Sequence, residues 1–430
     1  MSSNKFNIYD FFIFILIAPI PLSPCFGAYA PIRILAFLFS PFLFSAISKI
    51  KRKSELSKFI ISFASIFLTY VIISSIWTKD LILTAKELVY YPCHLLILLE
   101  IVFFAKFARR PAFSICFAWA FAIFCTFPIA TWEFLTGNHL AISKQKGDTL
   151  FNFGLGTIQV RQFASVTFGN LNTYGTFLAI GIIFVFVGTL KKNTLTSFCF
   201  HFVVVIGSVF FTMINASRGG ILAISTSGAL FLFYLLKGNN RYKGLTLILL
   251  SISLPFVLWK FSHIILEPIR LRMISASMIE DANRVEIIKQ VLNIFLDTHF
   301  LGLGTGGYLW AINNGHATMA HNLLFEALGQ YGILGFVLFV LLLIKIFMTA
   351  KKNQCIPFRY AGFAFIFSFP FWSIINSGYL ATFTAWTAFG SVCALIEITN
   401  DNTYQQIPEN ISNARHPINL SNAFYKRSPF

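Results

Sequence analysis

Charge is what this sequence has least of. Lys, Arg, Asp and Glu together make up 11% of its 430 residues, against about 25% in an ordinary soluble domain. Only 16 residues are acidic, whereas 57% are hydrophobic and 53 are phenylalanine. That much apolar surface cannot be hidden in a water-soluble core, so the surplus must face lipid. The polar loops hold no Asp-x-Asp pair and no carboxylate cluster, which removes the usual means of holding a divalent cation. The cysteines (25, 93, 116, 125, 199, 355 and 393) lack a Cys-x-x-Cys pair or any metal-ligand spacing, and read as small packed hydrophobes. No repeat period is visible. A net charge of +17 would suggest a nucleic-acid partner if the basic residues formed a patch. They are dispersed around apolar segments instead, as in the cytoplasmic loops of membrane proteins. The partner implied is a bilayer, with no nucleic acid.

What is present is a series of apolar runs. Segments of about 17–25 apolar residues are long enough to cross a bilayer. They fall near 8–24, 30–48, 59–77, 88–106, 112–132, 172–190, 197–214, 219–236, 244–260, 323–347, 359–377 and 379–397. The first, Ile8 to Leu22, reads as a helix and not a cleaved leader, because eleven more follow. Lipid cannot satisfy an open sheet edge, and these runs are too long and uniformly apolar for a barrel. The expected fold is all-α and polytopic, with about twelve spans forming one membrane domain over 1–399. One set of linkers and both termini carry 21 Lys and Arg, the alternating set 11. That asymmetry predicts cytoplasmic termini and puts two long loops, about 133–171 and 261–322, outside. The Asn-, Ser- and Pro-rich tail, 400–430, reads as cytoplasmic and disordered.

The candidate chemistry lies in and beside those long loops. Residues 281–296, DANRVEIIKQVLNIFL, have helical periodicity with Asp281 as expected N-cap. Arg284 falls on the same stripe as Ile288, Val291 and Phe295, where a snorkelling interfacial arginine is the plain alternative to a ligand-binding one. GLGTGG (302–307) spells a dinucleotide fingerprint but lacks a βαβ setting. Its glycines predict a tight turn or a close backbone approach, with an anion nest as a secondary reading. His316 and His321 do not share a helix face or have a metal-spaced carboxylate. Arg218, in NASRGG (215–220), sits at the boundary of two spans, where an ionisable group is a functional candidate. Arg161, in the first long loop, is either solvated or accessory. His94 and Glu100, six positions apart within one span, read as packing residues more readily than as a proton path.

In order and type these elements resemble the O-antigen ligase and polymerase superfamily of bacterial membrane glycosyltransferases. The matching residues are SRGG (217–220), NRVEIIKQ (283–290), FLGLGTGG (300–307) and HNLLFEALGQYGILG (321–335). The last fits a pattern of His321, Asn322, nine residues, Gly332 and Gly335, and departs from it at Phe336, where ligases often carry Thr or Val. The motif region covers about 215–335. The resemblance implies a GT-C-like fold in a bacterial inner membrane with a periplasmic active site. It further implies an undecaprenyl-diphosphate-linked glycan as donor and a lipid A-core sugar, or another lipid-linked glycan, as acceptor. Arg218 and Arg284 would hold the diphosphate, and His321 would take the acceptor proton or contact the diphosphate. Arg161 and His316 would be accessory, with no metal or cofactor. A lipid-linked glycan flippase or secondary transporter would share the helix count, but transport sites lie near the midplane rather than in an external loop.

Overall fold

The computed structural model describes residues 6–398, apart from positions 52, 144–150, 153–157, 160–162, 192–193, 239–241 and 261–278. At 28, 151–152, 158–159, 254–255, 257–260 and 279–284 only the backbone is described. The helices in chain order are α1 Ile8–Ile17, α2 Pro31–Lys49, α3 Glu55–Ser74, α4 Leu81–Phe104, α5 Pro111–Thr136, α6 Leu171–Leu190, α7 Leu195–Ile214, α8 Arg218–Lys237 and α9 Lys243–Lys260. Then follow α10 Ile279–Asp297, α11 Gly307–Asn313, α12 Leu323–Lys352, α13 Ile356–Trp372 and α14 Phe383–Glu397. A two-residue pairing of Phe151–Asn152 with Ile158–Gln159 is the sole strand contact among the described residues. The chain is an all-α polytopic membrane protein.

Every apolar run predicted to cross the bilayer is helical, but the lengths differ from the expectation. Among the described residues eight helices, α2 to α8 and α12, are long and apolar enough to span, and α1 with the bent turn after it makes a ninth. The other three, α9, α13 and α14, are 18, 17 and 15 residues long. The run expected at 379–397 loses its first turn because Gly378 is left-handed and the helix begins only at Phe383. Its missing turn is held elsewhere, as described below. The polar tail lies outside the described residues.

At the centre stands α6, with 89% of its span window buried inside the protein. A helix that is apolar all round belongs in a core. Close neighbours reach it where it has no side chain: a Cβ at Gly181 would press on Trp119 and Ile123 of α5, and one at Gly188 on His201 of α7. Small residues at helix crossings are the usual packing device inside membranes. The cysteines form no disulfide: Cys116 and Cys393 are buried, while Cys125 and Cys199 are exposed on α5 and α7.

Candidate functional site

The glycine turn is stitched into a membrane helix. Within α12, Gly332 has φ 58° and ψ −151°, which breaks the helix into Leu323–Tyr331 and a longer spanning part. Breaking a helix strands its carbonyls, which must find donors elsewhere. The turn supplies them: Leu303 N–H donates to Gly329 O at 3.0 Å, and Gly304 N–H to Gln330 O at 2.8 Å. In return Ile333 N–H donates to Phe300 O at 3.0 Å. A Cβ at Gly332 would collide with Phe300 O and Leu301, and one at Gly304 with Ser74 and Trp77. The glycines therefore serve close backbone approach.

The rest of the turn is fastened to α3 and α4. Gly306 N–H donates to Glu87 Oε2 at 2.5 Å, and Gln330 Nε2 donates to the same oxygen at 2.5 Å. Thr305 Oγ1 donates to Val71 O at 2.6 Å, and Thr84 Oγ1 donates to Thr305 O at 2.9 Å. With the amides of Gly302, Leu303, Gly304 and Gly306 all bound to protein acceptors, the anion-nest reading is overturned. Those N–H groups are spent on the fold.

A second approach to the same end of the bundle is the α7–α8 hairpin tip. Ser217 caps α8, with Gly220 N–H donating to its hydroxyl at 3.3 Å, and Arg218 is the first residue of the helix. Gly219 lets α8 close on the end of α13, since a Cβ there would meet Phe371 O and Ile375 at 2.9 Å. Asn215 reaches across to the end of the first long loop: Ala164 N–H donates to its Oδ1 at 2.9 Å, and its Nδ2 donates to Ala164 O at 2.9 Å. Glu133 grips the next residues, accepting from Ser165 N–H and Val166 N–H at 2.7 Å each, with His139 Nδ1 3.3 Å from its other oxygen. Arg161 lies outside the described residues, two positions before a segment anchored three residues from Arg218.

The third approach is the start of α12. Half-buried His321 has a left-handed backbone, φ 47°. Asn322 caps the helix, accepting from Leu324 N–H at 2.9 Å and Phe325 N–H at 3.2 Å. One turn on, the buried Glu326 accepts from Gly378 N–H at 2.5 Å and Leu380 N–H at 3.4 Å. It thereby holds the α13–α14 linker, which on its other side meets Gly219 through Ile375. The hairpin carrying Arg218 and the half-helix following His321 thus both reach the stretch 371–380, the end of α13 and the linker after it.

Helix α10 leans on this assembly. Val291 is buried with Tyr308, Ala311, Ala317, Ala320 and Leu328, and Phe295 packs against them, as the stripe predicted. Gln290 Oε1 accepts from Thr318 N–H at 3.2 Å. The described helix includes Ile279 and Glu280, so Asp281 is within it and not its N-cap. Arg284 lies on the backbone of α10 two turns before Val291, and its side chain is outside the described atoms. His316 is exposed and stacks on Trp310, ring centroids 5.2 Å apart. Tyr308 donates to Thr318 O at 2.9 Å, and burial raises its hydroxyl above the usual range.

Backbone strain gathers at this end. Among the described residues, the non-glycine residues with positive φ are Val166, Ala216, His299, Phe300 and His321. Each immediately adjoins a segment just described, and such strain clusters at functional sites. Sequence reading missed Glu87, Glu133, Glu326, Asn215 and Gln330, all buried. A signal existed: acids inside apolar spans are costly and mark function or a partner. His94, by contrast, is packed as expected, stacked on Trp386 and edge-on to Phe383. Among the described residues no three His, Cys, Asp or Glu side chains group as metal ligands.

Fold and site define a polytopic membrane protein in which the motif segments meet buried polar groups at one end of the bundle. Comparison with known proteins agrees. Residues 203–340 match the family model described as O-antigen ligase. The teichuronic acid biosynthesis protein TuaE of Bacillus subtilis (strain 168) is 23% identical over 374 residues, covering 82% of this chain and 74% of that protein. The family match covers the motif region, and the likeness to TuaE extends over most of the chain. The family match supports the resemblance to O-antigen ligase-type membrane glycosyltransferases.

Proposed function

We propose that this protein transfers a glycan from undecaprenyl diphosphate to a sugar hydroxyl of lipid A-core at the periplasmic face of the inner membrane. The observation that supports the reading is that two motif segments, SRGG through Gly219 and HNLLFEALGQYGILG through Glu326, both reach the stretch running from the end of α13 into the α13–α14 linker. The leaving diphosphate gains negative charge as its bond to the anomeric carbon breaks. Guanidinium groups bond phosphate oxygens in pairs and stay charged at any working pH. Arg218 and Arg284 take that role in the proposal, stabilising the charge as it develops. His321 accepts the proton of the attacking hydroxyl, or else bonds the diphosphate itself. Attack opposite the leaving group inverts the anomeric centre without a metal ion. Arg161 adds positive charge nearby.

A second reading keeps the donor half and changes the acceptor to another lipid-linked glycan, making the protein a polymerase. One observation favours it: the relative that covers 82% of the chain is named for teichuronic acid biosynthesis and not for an O-antigen ligase. The lipopolysaccharide of a deletion strain separates the two. A ligase deletion leaves bare lipid A-core while full-length glycan accumulates on its lipid carrier. A polymerase deletion leaves lipid A-core carrying a single repeat. An unchanged glycan profile would overturn both.

A further inference from the structure

The half-helix Leu323–Tyr331 is fixed at each end by a buried carboxylate from a different part of the fold. At its C-terminal end Glu87 of α4 binds Gln330 and Gly306. At its N-terminal end Glu326 binds the amides of Gly378 and Leu380. Glu326 makes no salt bridge among the described residues, so a carboxyl group at 4% exposure is satisfied by backbone N–H donors. Burying a carboxylate is expensive unless it is fully hydrogen-bonded. A glutamine or an apolar side chain would pack a helix more cheaply. Its oxygens reach a linker whose other side receives Gly219, the neighbour of Arg218. Along its own helix Glu326 stands four residues after the Asn322 cap and five after His321.

We propose that Glu326 is a positioning residue: it sets His321 relative to the Arg218 hairpin by clamping the start of α12 to the 378–380 backbone. This rests on the reading of His321 as the group that acts on the acceptor hydroxyl or the diphosphate. The helix break makes such a clamp necessary. Because Gly332 interrupts α12, the short half-helix does not inherit its orientation from the spanning part and needs its own fastenings. Glu326 acts through His321 and touches no substrate.

The test is a double-mutant cycle on purified, lipid-reconstituted full-length protein. Undecaprenyl diphosphate serves as binding probe, and the lipid-linked glycan extracted from a deletion strain as turnover substrate. Glu326→Gln keeps the volume and one acceptor oxygen but sets an NH2 against a backbone N–H. Its turnover should fall about ten- to a hundredfold, the range expected when a reacting group is misplaced by about an ångström. Affinity for undecaprenyl diphosphate should fall no further than it does in His321→Ala. In a His321→Ala background, Glu326→Gln should cause no further loss, since residues acting as a unit are non-additive. Glu326→Asp, which keeps both oxygens, should fall between, and it carries the same cycle if the Gln variant does not reach the membrane. Full multiplicative loss on top of His321→Ala would overturn the proposal, as would wild-type turnover in Glu326→Gln. Undiminished turnover in His321→Ala alone would instead sink the reading of the site, and this proposal with it.

Discussion

Replacing Gly332 with alanine tests whether the glycine turn and the helix break are one structure. The perturbation is a single methyl group at φ 58°, ψ −151°. That conformation is essentially restricted to glycine, and holding another residue in such a region costs about 1–3 kcal/mol. The methyl would also run into Phe300 O and Leu301. Relief requires moving the turn away, which breaks the Ile333–Phe300, Leu303–Gly329 and Gly304–Gln330 hydrogen bonds at about 0.5–1.5 kcal/mol each. Even about 2 kcal/mol in total means roughly thirtyfold less of the native arrangement. The assay pairs thermal unfolding in detergent with glycan transfer, both normalised to membrane level. The control is Gly228→Ala in α8, where a Cβ meets nothing within 4 Å and φ is ordinary; it should be neutral or stabilise by about 0.4–1 kcal/mol. Equal behaviour of the two variants would refute the account of the break.

Four further outcomes are expected. Arg218→Ala should lower transfer or donor affinity about ten- to a hundredfold, for loss of a charge-assisted contact of about 1.5–3 kcal/mol; Arg218→Lys should also impair, because it loses the guanidinium fork, and normal transfer by both would remove Arg218 from the site. His321→Asn is the conformationally matched variant, since Asn tolerates the left-handed region; turnover should drop while the thermal midpoint holds, and a drop in both together would make His321 a structural residue. Purified protein should retain transfer in excess EDTA, and activity lost there but restored by magnesium or manganese would show a metal at the diphosphate. Cysteine introduced at Asn313, exposed at the end of α11, should be labelled by an impermeant reagent from the periplasm, and labelling only from the cytoplasm would invert the topology.

The long-range chemistry is where sequence reading stops. Apolar runs announce helices because lipid imposes one requirement everywhere, and all the expected segments are helical. The stripe through Val291 and Phe295 was legible for the same reason: helical periodicity is local. Asp281 was misplaced as a cap because Ile279 and Glu280 extend the helix backwards without any breaker. Glu87 and Gly306 are 219 residues apart, and Asn215 and Ala164 are 51 apart; nothing local in either sequence names its partner. The glycines at 302–306 signalled close approach, yet not that the thing approached is the broken end of α12. The motifs SRGG and HNLLFEALGQYGILG gave the positions of Arg218 and His321. Their common border at 371–380, the end of α13 and the linker after it, carries no motif.

The cost of this arrangement points to what it is for. The five non-glycine residues found in left-handed backbone among the described residues, and the buried carboxylates Glu87, Glu133 and Glu326, each lower stability relative to an unstrained, apolar alternative. Glu87, Glu133 and Glu326 bond backbone amides of the glycine turn, the first long loop and the 378–380 segment, whereas buried Glu100 lies within α4 and buried Asp10 ties α1 to the start of α5. A membrane helix needs none of them to span. Fixed dipoles and charges lower a barrier only when they are held in place before charge develops, because reorganising them during reaction consumes the benefit. A site built on loops at the mouth of a bundle has no rigid element of its own, so it must be tied down by bonds from elsewhere. The carboxylates supply those ties here: Glu133 for the first loop, Glu87 for the glycine turn and Glu326 for the α13–α14 linker. Glu133→Gln should therefore loosen the Ser165–Val166 turn and reduce transfer, with the bundle's thermal midpoint little changed. A parallel fall of stability and transfer in that variant would show that the carboxylate serves the bundle and not the site.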